Sequence, residues 1–296
     1  MRPRCWGIYR ELAHSPGRET DDAEILRAVG RELEARGFDV ALKSPDELPE
    51  APDGRNVAPF IFVMCERVPL VARLAAWERQ GIRIVNRPEG IRNTDRERTI
   101  SLFARHAVAF PPSVLVPTSR PAAEGQVRFP CWIKRGDVHA TEPGDVAMIA
   151  KPDALSAALA RFSSRGIDRV VLQEHVPGDL IKFYGVGISS KAPNEADLPW
   201  FEWFYHRDQK LSRFPFEPAR LREVVFQAAS ALGLEVFGGD AIVTEAGSVV
   251  LIDLNAWPSF ALFRATAAEK IAAHLTRHFQ MAPLNSGLSA EPQWPR

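Results

Sequence analysis

The feature that most constrains this chain is residues 238–255, which read Gly-Gly-Asp-Ala-Ile-Val-Thr-Glu-Ala-Gly-Ser-Val-Val-Leu-Ile-Asp-Leu-Asn. Two β-rich runs flank a short turn around Ala246-Gly247, which is the pattern of a hairpin. A two- or four-residue loop centred there sets Val243 opposite Val250, Ile242 opposite Leu251, Ala241 opposite Ile252 and Asp240 opposite Asp253. A three- or five-residue turn would shift the pairing by one. In the first register the two aspartates stand with Cβ atoms roughly 5 Å apart. Asn255 projects from the same face as Asp253, because side chains alternate along a strand. Like charges across a ladder destabilise it. Either these acids are scattered over a solvated hairpin end, or something offsets their repulsion. Magnesium prefers oxygen ligands, and two Asp with an Asn carbonyl oxygen suit it. The expectation is therefore a metal site of Asp240, Asp253 and Asn255.

Upstream, strand-like and helix-like segments alternate. Residues 5–9 read as a strand. Residues 21–36 read as a helix with Ile25, Leu26, Val29 and Leu33 on one face and Gly37 as its C-terminal cap. Strands at 38–42, 60–64 and 82–85, with a helix at 68–79, complete a pattern that implies a parallel sheet. A Rossmann-like domain follows from that pattern, although the first strand-to-helix loop has no Gly-x-Gly-x-x-Gly. A second unit begins near 86–95, where Thr94 or Asp95 caps a helix through His106 and an extended stretch starts at 110. Strands at 131–135, 146–150 and 169–176 and an amphipathic helix at 153–164 follow. Further strands at 182–188 and 200–205, separated by a polar loop at 191–198, precede a helix at 218–232 ended by Gly233. At ~100–200 residues per domain, the 296 residues divide into an N-terminal α/β domain (1–93), a central lobe (94–181), a C-terminal lobe (182–280) and a polar tail (281–296).

Charge narrows the function classes. The chain carries 37 basic and 37 acidic side chains, a formal net charge of zero, whereas nucleic-acid and membrane-surface binders usually show a basic excess. Neither partner is expected. Cys5, Cys65 and Cys131 are widely separated, without the paired spacing of a zinc site. No apolar run approaches the ~20 residues of a spanning helix, and the N-terminus lacks a signal-peptide layout. A cytoplasmic protein is the expectation.

Two other segments carry chemistry. Trp132-Ile133-Lys134-Arg135 places a lysine inside an apolar strand, where an ammonium needs either an anion or an escape to water along its stem. The loop after it, residues 136–144, contains His139 and can cover phosphates through backbone amides. Its sequence is not a Walker loop. The strand ending Gln173-Glu174-His175-Val176-Pro177-Gly178-Asp179 can offer an extended backbone to a purine edge, with Asp179 within reach of ribose hydroxyls and Lys182 of phosphates. A buried strand, a turn and a charged flank explain the same residues without a ligand.

In combination these pieces resemble the ATP-grasp superfamily. Thr94-Asp95-Arg96, Lys134 with His139, Gln173-Glu174-His175-Val176, Lys182 and Ile252-Asp253-Leu254-Asn255-Ala256-Trp257-Pro258-Ser259 fall in comparable order. The likeness is to ribosomal-protein glutamate ligases, glutathione synthetase-like enzymes and inositol tris/tetrakisphosphate kinases. It implies an α/β ATP-grasp fold, with a Rossmann-like N-terminal domain and two α+β lobes enclosing ATP. It also implies ATP and Mg²⁺ as cofactors and a small-molecule acceptor. Lys134 and Lys182 would hold phosphates, helped by His139. Gln173, Glu174 and Val176 would meet adenine, Asp179 the ribose, and Asp240, Asp253 and Asn255 the metal. Arg207 and Arg213 follow a strand where related ligases carry acceptor-binding basic residues. Surface arginines are the plainer reading of both.

The implied chemistry is phosphorylation of a carboxylate to an acyl phosphate for attack by an amine. Ligases of this superfamily commonly carry Asp…Glu-x-Asn, whereas Asp253 occupies the middle place here, which looks more like the inositol phosphate kinases. The second loop histidine expected of those kinases is missing near Gly144-Asp145. The alternatives are thus a small-molecule kinase and a nucleotide-binding regulator with degenerate catalysis.

Overall fold

The computed structural model describes residues 2–52, 57–119, 125, 127–137, 142–188 and 199–280. His139, the polar loop at 191–198 and the tail at 281–296 lie outside the described residues. The first unit is a parallel sheet in the order β2-β1-β3-β4, made of β1 (Arg4–Ile8), β2 (Asp39–Lys43), β3 (Phe60–Val63) and β4 (Arg83–Val85). Helix α1 (Glu19–Ala35) covers one face and α2 (Val68–Arg79) the other. Burial on both faces explains the unbroken apolar run of β3, in which every residue is buried.

The central unit is an antiparallel sheet, order β5-β8-β6-β7. Its strands are β5 (Ser113–Pro117), β6 (Cys131–Arg135), β7 (Val146–Ile149) and β8 (Arg169–Glu174), and α5 (Leu155–Ser164) packs on one face. The third is also antiparallel, order β10-β9-β11-β12, with β9 (Asp179–Val186), β10 (Trp200–Tyr205), β11 (Val236–Val243) and β12 (Val249–Ala256). Strand β9 straddles the boundary expected between residues 181 and 182, and the chain changes sheets at Val176-Pro177-Gly178 instead. The helix expected from Thr94 or Asp95 to His106 is α4 (Arg96–Arg105), with Asp95 at its N-cap, and a short helix α3 (Pro88–Asn93) precedes it. Helix α6 (Pro218–Leu232) ends at Gly233, whose φ of 76° is the left-handed conformation that a helix C-cap favours. Helix α7 (Arg264–Gln280) closes the described chain.

Two apolar cores bind the first and third units together. Ile8, Ile61, Val63 and Leu74 pack in one core with Phe183, Leu221, Phe237 and Leu254. On the other side Ile25, Val29 and Phe62 pack with Val186, Val236, Trp257 and Ile271. The central unit keeps a separate core of Cys131, Ile133, Ile149, Phe162 and Leu172. All three cysteines are free and buried. Burial pushes the Cys5 thiol up to about 12 and the Cys131 thiol up to about 11. Among the described residues no helix is long and apolar enough to cross a membrane.

The hairpin register departs from expectation near its turn and recovers at the acids. The turn occupies residues 244–248, closed by the Thr244 N–H on the Ser248 carbonyl at 2.9 Å. Val243 therefore faces Val249, Ile242 faces Val250 and Ala241 faces Leu251, one position off the expected pairs. A bulge at Ile252 takes up the extra residue. Asp240 then stands opposite Asp253 as expected.

Asn86 pins the first unit to the third. Its buried Oδ1 accepts the amides of Glu235 (2.8 Å) and Val236 (2.9 Å), and its Nδ2 donates to the Val236 carbonyl (2.7 Å). Asn86→Ala leaves the Glu235 and Val236 amides without their side-chain acceptor, while the Val236 carbonyl keeps the Trp257 amide. It is expected to cost on the order of 3 kcal/mol, read as a lowered urea midpoint at unchanged slope.

Candidate functional site

Three adjacent strands of the third sheet carry a cross-strand row of charges. Lys182 on β9 pairs with Asp240 on β11, and Asp240 pairs with Asp253 on β12. Lys182 Nζ donates to Asp240 Oδ1 at 2.7 Å, and Asn255 Nδ2 donates to Asp253 Oδ2 at 3.3 Å. Burial pushes the Asp240 carboxyl up, Lys182 pulls it down, and Asp253 pushes it up further; the net direction is upward. Leu180 and Ile242 continue the same face, while Ile181, Phe183 and Ala241 point into the core.

The facing wall comes from the central unit. Trp132 and Lys134 share one face of β6, and Cys131 and Ile133 occupy the other, in its core. Lys134 Nζ donates to the carbonyl of Ile252, the bulged residue, at 3.2 Å. Burial pushes its ammonium down to about 8 against the attraction of Asp253. Arg96, in the first turn of α4, donates to the Arg135 carbonyl at 2.9 Å. Burial lowers its pKa, and Asp253 and Asp145 act against that. From the end of β1, Arg10 reaches the Trp257 carbonyl at 2.6 Å, with Asp22 (3.1 Å) and Glu66 as ion-pair partners.

These residues enclose a cleft of about 630 Å³ where the three sheets meet. Lys134, Gln173, Glu174, Val176, Lys182, Asp240, Asp253 and Asn255 all line it. The end of β8 is held by the Glu174 amide on the Pro112 carbonyl (2.9 Å) and by Trp132 Nε1 donating to His175 Nδ1 (3.2 Å). Trp132, Val146, Val176, Leu180, Ile242 and Ile252 give this end apolar walls.

Two expected residues lie elsewhere. Asp179 is 1% exposed, and its carboxylate accepts the amides of Ser212 (2.7 Å) and Phe214 (3.0 Å). A buried carboxylate needs such donors, so this side chain holds the chain after β10 and does not face a ribose site. Arg207 is at the surface, its side chain 92% exposed and 3.7 Å from Asp208, outside the cleft lining. Gln209 bonds both backbone groups of Leu180 and, with Asp179, draws that segment back over β9. Arg213 is likewise exposed, at φ 57°.

Arg10, Arg18, Arg96 and Ser259 also line the cleft, and none was assigned a site role from sequence. Arg96 left a signal, since a cation in the first turn of a helix opposes its dipole. Arg10 sits just beyond the carboxyl end of a parallel strand, where open α/β sheets place ligands.

No family model matches the chain, and no curated protein matches it by sequence. Solved structures do. A RimK domain ATP-grasp protein from Sphaerobacter thermophilus matches with a TM-score of 0.67 at 19% identity, over 92% of this chain and 99% of that one. The chain has the ATP-grasp fold. VanG D-Ala:D-Ser ligase from Enterococcus faecalis matches with a TM-score of 0.69 at 13% identity, covering 93% and 99%. D-alanine–D-alanine ligase from Bacillus anthracis gives 0.66 at 11%, covering 93% and 98%. In the ATP-grasp fold of this chain, the second sheet supplies Lys134 and the third supplies the acidic row.

Lys134 sets a pH dependence. Its folded pKa lies below the ordinary lysine value, so the unfolded chain holds the proton where the folded one has lost it. Stability of the unliganded protein rises with pH from about 8 to ~10.4. A polyphosphate beside Lys134 would keep the proton on. The affinity of a polyphosphate bound there is expected to fall above pH 8, approaching tenfold per pH unit, with uptake of about one proton. Calorimetry in buffers of different ionisation enthalpy reads that uptake, and Lys134→Met should abolish it.

Proposed function

We propose that this chain is an ATP- and Mg²⁺-dependent ligase that activates a small carboxylate as an acyl phosphate for attack by an amine. The observation that carries the reading is the charge row Lys182–Asp240–Asp253, faced across one cleft by Lys134 of another sheet. Two of the structural matches are ligases, which supports it.

The residues fit magnesium. Asp240, Asp253 and Asn255 offer a hard oxygen set, and the mutual repulsion of the acids is relieved by a divalent cation. Among the described residues no group of three or more His, Cys, Asp or Glu side chains is arranged to hold a metal. The remaining coordination positions would fall to phosphate oxygens and water, as magnesium usually takes them. Bound there, the ion would neutralise charge on the phosphates.

Lys134, Lys182 and Arg96 hold and screen the phosphate chain, and the apolar end of the cleft takes the base. Phosphoryl transfer asks mainly for positioning and charge neutralisation. A carboxylate oxygen of the substrate attacks the γ-phosphorus, the bond to the β-phosphate oxygen breaks, and ADP leaves. The amine then adds to the acyl carbon, phosphate departs, and the ammonium proton passes to solvent.

The second reading, a kinase transferring the same phosphoryl group to a hydroxyl, draws on Asp253 standing where the resembling ligases carry glutamate. Incubation with ATP, magnesium and pools of carboxylates, amines and polyols, followed by phosphorus NMR, separates the readings. The ligase is expected to form ADP and free phosphate only when carboxylate and amine are both present. A stable phosphate ester would establish the kinase, and nucleotide binding without turnover a regulator. Asp253→Ala is expected to lower turnover by about 100-fold or more and to remove the magnesium dependence of nucleotide binding.

A further inference from the structure

We infer that Arg18 and Ser259 form an anion-recognition element for the acceptor, which therefore carries a carboxylate or phosphate besides its reacting group. The inference rests on the ATP-dependent reading above and names a property of the molecule that enters beside the nucleotide.

Ser259 is displayed at an energetic cost. Strand β12 runs from the acidic row into Trp257-Pro258-Ser259-Phe260, where Trp257 (φ 41°) and Phe260 (φ 52°) both adopt left-handed backbone. Bulky L-residues disfavour that region. Both side chains are fully buried, and packing holds the kinks. The Trp257 amide donates to the Val236 carbonyl at 2.9 Å, and the Phe260 ring lies 4.9 Å from that of Tyr184. Between the kinks, Ser259 is 4% exposed and lines the cleft. Its hydroxyl has no hydrogen-bond partner among the described residues. A buried hydroxyl left unpaired is costly, so a partner arriving from the cleft accounts for both the strain and the orphaned group.

Arg18 supplies the charge. It precedes α1, lines the same cleft and is exposed. No side-chain hydrogen bond or ion pair holds its guanidinium among the described residues. The other strong cations of the cleft have other work: Arg10 pairs with Asp22 and Glu66, and Lys182, Lys134 and Arg96, which contact Asp240, the Ile252 carbonyl and the Arg135 carbonyl, serve the nucleotide phosphates in the reading above. The nearby acids are occupied too, since Asp22 also accepts the Ser15 hydroxyl at 2.7 Å.

The two residues belong to one wall. Arg264, at the start of α7, pairs with Asp21 and Glu24 of α1, which ties the segment after Ser259 to the helix after Arg18. Tyr184 is common to the two segments, its ring against Phe260 and its phenol within the influence of Arg18. A Cβ on Gly238 would sit 2.6 Å from Pro258 Cγ and 2.9 Å from Tyr184 Cδ1, so Pro258 and the ring both flank that glycine. Burial pushes the Tyr184 phenol up, and the charge of Arg18 pulls against it. A hydroxyl donor and a planar guanidinium lining the same cleft suit the oxygens of a carboxylate or a phosphate.

The test uses the full chain saturated with magnesium and ADP. Trifluoroacetate is followed by fluorine NMR, methylphosphonate by phosphorus NMR, and neutral trifluoroacetamide serves as control. Wild type is expected to broaden at least one anion saturably and to leave the amide sharp. Arg18→Gln and Ser259→Ala should each weaken that anion at least tenfold while holding ADP affinity within twofold. A response to trifluoroacetate alone assigns a carboxylate, to methylphosphonate alone a phosphate, and to both their shared chemistry. The inference is overturned if neither anion saturates, or if both variants bind as wild type does. ADP affinity is measured separately by calorimetry. Its failure in wild type counts against the ATP reading, and the anion titration on nucleotide-free protein still decides the roles of Arg18 and Ser259.

Discussion

Asp240 and Asp253 face each other across β11 and β12, and much of the surrounding structure serves to make that juxtaposition tolerable. At ~5 Å and an effective dielectric of ~20, two carboxylates repel by roughly 3 kcal/mol, a large fraction of a domain's net stability. Lys182 answers from β9 in the same row. Arg96 and Lys134 answer from α4 and β6, both drawn electrostatically to Asp253. The bulge at Ile252 fixes the register and also presents the carbonyl that Lys134 takes.

Apolar packing distributes the parts differently from the charges. The first and third sheets share two cores, with Asn86 stitched between them. The second sheet buries its apolar side chains in a core of its own. Its link to the acidic row is polar, through Lys134 and the Arg96–Arg135 contact. The cleft is therefore walled by one fused body and one separately packed unit.

Secondary structure and half of the site were legible because each depends on local pattern. Helix α2 and strands β6 and β10 occupy the expected residues, since periodicity and flanking turns define them. Lys134, Lys182 and the set Asp240, Asp253 and Asn255 reach one cleft because alternation along a strand dictates which residues share a face. Asp179 has the same strand-end signature, yet its carboxylate went to two backbone amides from a loop more than thirty residues on. Arg207 sits at a surface that Gln209 and Asp179 set by pulling back the chain around it.

The sequence by itself determined the alternation of elements and the strand faces, because these follow from periods of two and 3.6. Tertiary structure decided the turn length and compensating bulge, the fusion of the first and third sheets, and the arrival of Arg10, Arg18, Arg96 and Ser259 at one cleft. Each of those outcomes depends on contacts between residues far apart in the chain. An isolated arginine or serine looks the same in sequence whether its partner is water, a carbonyl of another sheet or a ligand. Only the packed fold, by fixing which polar groups are buried and already paired, separates the three.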